Sequence, residues 1–273
     1  MPRRGGRRRL VAEILRAIKE AAGGNQRPEA VIVAVPGFLD ENRETLLQVT
    51  HLPELVGVPL RADLESQIGV PVRLETDANA AAVAEARLGS GQNAQRLLYV
   101  SLGTGVGASL CIDGHPVRVS HHAIGHVAQI PLGGDLARDK TERQLSARGI
   151  VRRARAAGLR GVVSPQDVYA RARVGVRGSL GPEARRARKA WRETGEILGR
   201  LIFILGTLFR PDAVVIGGGT SAAAPLLLPT AERHIRRHWP TYMGHPPAIH
   251  PATHGRWAGA LGAAYAAQRA GAL

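Results

Sequence analysis

One cysteine, three lysines and 4% aromatic residues are all that this 273-residue chain contains of three residue classes. Cys111, standing alone, excludes an internal disulfide and any cysteine-cluster metal site. With so few aromatics, the core must be built from Ala, Val, Leu and Ile. No apolar run reaches membrane-spanning length, and the opening MPRRGGRRRL lacks the apolar stretch of a secretory signal. A soluble, cytoplasmic protein with no membrane partner is the expectation. The lysines are Lys19, Lys140 and Lys189, so the formal charge of +15 is almost wholly arginine, a bias that GC-rich coding can produce. Arginines gather in the N-terminal tail (Arg3, Arg4, Arg7, Arg8, Arg9) and between Arg152 and Arg200, with no aromatics interleaved as a base-stacking surface would need. Specific nucleic-acid binding is therefore not expected. What is present, 44% hydrophobic and 22% charged residues, is the composition of a globular chain with one large domain or two moderate ones.

Apolar residues at helical spacing predict an amphipathic helix over Leu10 to Ala22, ended by Gly23-Gly24. AVIVAVPG (30–37) reads as a strand buried on both faces. A short helix over Arg61 to Ile68 precedes a strand over Val70 to Glu75. An alanine-rich helix then starts at Asp77 and stops at Gly89. LLYVSLGTGVGASLCIDGHPVRV (97–119) reads as strand, glycine turn, strand, Asp113-Gly114 turn, strand. Ser164-Pro165-Gln166-Asp167 carries an N-cap serine, a proline at the first helical position and an acid three residues after the serine. Pro182 to Leu208 predicts one long helix with a buried second half. AVVIGGG (213–219) is again strand then glycines, SAAAPLLLPTAERHIRRHW is helical, and GRWAGALGAAYAAQRAG predicts a small-residue helix able to pack closely. This alternation indicates an α/β fold.

Three glycine-rich turns follow predicted strands: Pro36-Gly37, Gly103-Thr104-Gly105 with Gly107, and Gly217-Gly218-Gly219. Such turns let the backbone approach a ligand, and free amides with a threonine hydroxyl suit phosphate. The central turn has neither the spacing of a dinucleotide-binding fingerprint nor the Gly-Lys-Ser/Thr of a P-loop, and alone reads as a plain hairpin turn. Asp77 stands where a strand meets a helix. A carboxylate there caps the first helical turn, does chemistry, or does both.

Taken in order, PGFLD, HLPELVGVPL, TDANAAAVAE, LYVSLGTGVGASLCIDG, AIGHV, VVIGGG and WAGALGAAYA resemble the ROK group of repressors, open reading frames and kinases, which includes glucokinase-like sugar kinases. The resemblance runs from about Val31 to the C-terminus. It implies an actin-like (ribonuclease H-like) two-lobe fold: a partial N-terminal α/β lobe over 1–100, and a C-terminal α/β lobe over 101–273 with a helical segment over 150–208. It also implies ATP-dependent phosphorylation of a hexose with Mg²⁺, usually in a homodimer. Asp77 matches the general base that takes the proton of the attacking sugar hydroxyl, and a helix N-terminus favours its ionised form. Gly103, Thr104 and Gly105 match the phosphate contact and Gly217, Gly218 and Gly219 the adenosine-side loop. Gly37, Thr76, His126 and Glu142 fall at sugar-side positions.

The departures from the pattern are as informative. The group's kinases open on a strand and an Asp-x-Gly-Gly-Thr phosphate loop. Nothing of that kind stands ahead of Leu10, so an incomplete N-terminal lobe with unpaired strand edges is expected, through a late start codon or a truncation. Thr76 replaces an asparagine, and Ala123 replaces the carboxylate of the Glu-x-Gly-His motif. Lys140 stands where a cysteine belongs. His121, His122 and His126 have no sulfur partners, so zinc is not expected and the histidines read as solvated or core residues. These losses lead to the expectation of a kinase-like fold with weak or absent activity; a non-catalytic, sugar-sensing or regulatory protein is the alternative, although residues 1–30 are too short for a winged helix-turn-helix.

Overall fold

The computed structural model describes residues 6–23, 28–49, 52–173, 175–176 and 179–269. Helix α1 (Gly6–Ala21) turns its apolar stripe, with Val11 buried and Ile14, Leu15 and Ile18 beside it, onto the first core. Strand β1 (Val31–Val35) follows, then the small antiparallel pair β2 (Phe38–Leu39) and β3 (Leu46–Gln48), helix α2 (Leu60–Ile68) and strand β4 (Val72–Thr76). β1 and β4 run parallel, from Val31 opposite Val72 to Val35 opposite Thr76. Leu39, Leu46, Leu60, Leu64 and Leu74 are fully buried in this lobe. The first sheet has two strands, and among the described residues no strand covers the other edge of β1.

Helix α3 (Asp77–Leu88) leads into the second sheet, which begins at Arg96. There β5 (Arg96–Leu102), β6 (Val106–Ile112) and β7 (His115–Pro116) form the expected antiparallel run. Four helices and a small hairpin come next: α4 (Thr141–Leu145), α5 (Ala147–Ala156), α6 (Pro165–Arg173), β8 (Gly175–Val176) with β9 (Ser179–Leu180), and α7 (Pro182–Phe209). At α6 the capping box is complete: Ser164 Oγ accepts the Asp167 N–H (3.1 Å), and the Asp167 carboxylate accepts the Ser164 N–H (2.9 Å). Strand β10 (Ala213–Gly217), helix α8 (Ala224–His238), strand β11 (Ala248–Pro251) and helix α9 (Ala258–Arg269) complete the chain. The sheet order is β11-β10-β5-β6-β7, with β10 parallel to both β5 and β11.

The larger core lies under α7, where Trp191, Leu198, Leu201 and Ile202 are fully buried against Leu98, Val100, Val214 and Ile216 of the sheet. Each such leucine or isoleucine contributes about 1.5–3 kcal/mol by leaving water. α9 packs on α3 and β1, with Ala258 at its start in the core beside Tyr99 and Val215 of the second sheet, and Gly262 lies so close to the Ala80 carbonyl that a side chain there would overlap it. No described helix is long and apolar enough to cross a membrane.

Candidate active site

Between the two sheets opens a cleft of about 430 Å³. Its walls come from the β1–β2 turn (Gly37, Phe38), the β4–α3 junction (Thr76, Asp77), the β5–β6 turn (Gly103, Thr104, Gly105), the 123–129 segment, Glu142 of α4, and Gly218 and Gly219 after β10. Three segments far apart in sequence thus meet because each glycine turn follows a strand whose end points into the cleft.

The junction is built around Thr76, not Asp77. Thr76 is buried, has extended backbone, and its hydroxyl accepts the Asn79 N–H (3.3 Å), so threonine is the N-cap. Asp77 is the first helical residue, with its carboxylate accepting the Ala78 N–H (2.8 Å). Asp77 also lines the cleft. Asp77 keeps an exposed surface on the cleft, while the protein packed around it raises its pKa from the ordinary aspartate value, against the lowering by its backbone hydrogen bonds.

The turns after β5 and β10 are tied together. The Leu102 carbonyl, at the end of β5, accepts both the N–H (3.2 Å) and the hydroxyl (3.0 Å) of Thr220. Gly218 has φ of 83° and lies against that same carbonyl, so only glycine fits. The Gly103 carbonyl accepts the Ala147 N–H at 2.8 Å, anchoring the central turn to the start of α5. Gly219 accepts from the Gln166 side chain (3.1 Å). Gly217 is the exception among the expected positions. It does not border the cleft but packs under the Tyr99 ring at the end of β10.

On the opposite wall Ala123, Gly125, His126 and Glu142 face the cleft together with Gly37. His126 is stacked on Phe38, with ring centroids 4.0 Å apart and an interplanar angle of 16°, and His121 meets it edge-on at 5.8 Å. Phe38, Gln48 and Gln129 also line the cleft and were not singled out in the sequence. The Phe38 position within PGFLD is a signal that could have found it. For Gln129 the sequence holds none. Asp77 and Glu142 are the two carboxylates on the lining, and among the described residues no group of three or more His, Cys, Asp or Glu side chains could hold a metal ion.

The ROK family model matches residues 2–270. The chain belongs to the ROK family. It is 28% identical to the glucokinase of Streptomyces coelicolor over 246 residues, which is 84% of this chain and 76% of that one. The crystal structure of a ROK glucokinase from Streptomyces griseus in complex with glucose and AMPPNP superposes with a TM-score of 0.70 at 27% identity, covering 94% of this chain and 88% of that one. A ROK transcriptional regulator, a homologue of Escherichia coli Mlc, superposes with a TM-score of 0.79 at 25% identity, covering 95% of this chain and 67% of the regulator. The architecture described above is accordingly the actin-like α/β fold of ROK sugar kinases.

Proposed function

We propose that this ROK protein phosphorylates a hexose at the expense of ATP, with Asp77 as general base. The observation that carries the reading is that the Asp77 carboxylate faces the same cleft as the Gly103–Thr104–Gly105 turn and Gly218–Gly219. In this scheme the turn amides and the Thr104 hydroxyl hold the triphosphate end, and the loop after β10 holds the adenosine side. The sugar lies between His126, Glu142 and the β1–β2 turn. A sugar hydroxyl gives its proton to the Asp77 carboxylate as its oxygen bonds to the γ-phosphorus, and the bond to the β-phosphate oxygen breaks to release ADP. Desolvation makes Asp77 a stronger base than an ordinary aspartate, and a well-placed base contributes about 10²–10⁴-fold. Magnesium entering with ATP would neutralise phosphate charge, and with Asp77 serving as base, Glu142 is the cleft carboxylate left to hold it or its waters.

A second reading rests on Ala123. It lines the cleft as a methyl group where the resemblance calls for a sugar-holding carboxylate, a loss of about 1–3 kcal/mol. A sugar-responsive protein without turnover accounts for that erosion. A coupled ATP-consumption assay against hexoses and N-acetylated hexosamines separates the two. Turnover with at least one sugar supports the kinase, whereas sugar binding without turnover supports the sensor. Light scattering checks the homodimer that the family resemblance implies.

A further inference from the structure

Glu75 and Asn79 flank Asp77 at the β4–α3 junction, yet neither borders the cleft. Asn79 is fully buried and Glu75 is 8% exposed, so both polar groups depend on protein partners. Asn79 spends its amide on three segments at once. Its Nδ2 donates to Glu75 Oε1 (2.9 Å) and to the His122 carbonyl (2.6 Å), and its Oδ1 accepts from Ser109 Oγ of β6 (2.7 Å). Glu75 Oε1 also accepts the Thr76 N–H (3.0 Å), while Oε2 pairs with Arg118 (2.5 Å) and Arg43 (3.6 Å). Arg43 Nε in turn donates to His122 Nδ1 at 3.1 Å. An arginine can only donate, so Nδ1 must accept and the ring proton sits on Nε2, facing the Glu41 carbonyl at 2.9 Å.

These bonds converge on a strained turn. Ser120 and Ala123 exchange N–H···O bonds of 3.1 and 2.9 Å around His121 and His122, whose φ values are 47° and 57°. Two consecutive left-handed residues make the turn that Asn-Gly favours, and two histidines adopt it only where surrounding contacts impose it. The next residues of the chain are Ala123, Gly125 and His126, on the acceptor wall of the cleft.

We propose that Glu75, Asn79 and His122 are positioning residues, whose buried hydrogen-bond chain holds the Ala123–His126 wall in register with Asp77. The proposal rests on the reading of that wall as the sugar side. A misplaced acceptor loses much of the benefit of a good base, because proton and phosphoryl transfer both need near-attack geometry.

His122→Gly separates positioning from simple support, since glycine relieves the left-handed strain at 122 while deleting the ring's bonds to Arg43 and Glu41. Asn79→Ala, checked for folding by its melt, is the second variant. Melting temperature, hydrogen–deuterium exchange over 118–128, and initial rates with sugar and ATP varied separately are the readouts. For His122→Gly the expected result is an equal or higher melting temperature, faster exchange over 118–128, a sugar KM raised about tenfold or more with a lower kcat, and an ATP KM within about twofold of wild type. Unchanged exchange, or unchanged sugar KM and kcat, in a folded variant with an active wild type overturns this proposal alone. If the wild type binds sugar without turning it over, sugar affinity by calorimetry replaces KM: a drop of about tenfold supports the proposal and equal affinity overturns it. A wild type with neither turnover nor sugar binding sinks the reading of the wall, and this proposal with it.

Discussion

Two glycines of the turns proposed to hold the nucleotide should fail in opposite ways when given a methyl group. Gly218 has φ of 83°, and a Cβ there would overlap the Leu102 carbonyl, which is backbone and cannot rotate away. An L-residue in the left-handed region costs about 1–2 kcal/mol, and an added group in a packed site about 1–3 kcal/mol. Gly218→Ala should therefore lose about 2–5 kcal/mol, a drop of roughly 4–20 °C in Tm for a chain of this size. Gly103 differs: a Cβ there meets nothing within 4 Å, and the residue lines the cleft. Gly103→Ala should keep its stability within about 0.5 kcal/mol. Its methyl group, projecting where the phosphates are placed, should raise the ATP KM about tenfold, equivalent to 1.4 kcal/mol. Calorimetric melts and initial rates at varied ATP measure both. A Gly218→Ala melt within about 2 °C of wild type, or a Gly103→Ala protein with unchanged ATP KM, refutes the placement of these turns.

Other consequences are simpler to check. Cys111 is buried, and desolvation pushes its thiol up to about 12, so iodoacetamide at pH 8 should label it only after urea unfolding; rapid labelling of the native protein contradicts that. Glu85 is fully buried and accepts the N–H groups of Ser90 (3.1 Å), Thr253 (3.1 Å) and His254 (2.9 Å). Glu85→Ala orphans all three and should cost about 3–5 kcal/mol by urea titration, and a loss below about 1 kcal/mol argues against the clamp. The raised pKa of Asp77 has two signs to test. Below the unfolded value of 3.8 its carboxyl is neutral in both states and costs nothing; above its folded pKa the desolvated charge destabilises the fold. Asp77→Asn should accordingly raise Tm at pH 7, with the gain vanishing toward pH 3. Over the same range wild-type turnover should fall at a higher pH than an ordinary aspartate would dictate. A variant that melts lower at pH 7 contradicts the desolvation argument.

Much of this fold is written in local chemistry. The β-branched runs at Val31 and Ala213 became strands, fully buried at β10 but only partly buried along Ile32 to Ala34 of β1, the Asp113-Gly114 pair became a hairpin turn, and the Ser164–Asp167 box became a cap. These features depend on neighbours within a few positions, where side-chain type and spacing carry the physics. The convergence of Asp77 with the Gly103 and Gly218 turns was expected only through the family resemblance carried by the order of motifs, since β4 lies in one sheet and β5 and β10 in another. What escaped depends on orientation or on distant partners. Thr76 and Asp77 are both good caps by type, and only their backbone geometry assigns the role to Thr76. Gly217 differs from Gly218 by one step along a strand, and so it packs on Tyr99 instead of facing the cleft. Asn79 reaches Ser109 and His122, 30 and 43 positions away, and no sequence pattern marks such a pairing. The close packing of α9 on α3 and β1 was foreshadowed by its small residues, although its partners were not.

The most direct test compares ATP consumption by wild type and Asp77→Asn with a hexose the wild type accepts, while nucleotide affinity is followed in parallel. The account predicts a fall in kcat of about 10²–10⁴-fold with ATP affinity unchanged. An Asp77→Asn protein that turns over within about threefold of wild type would contradict it.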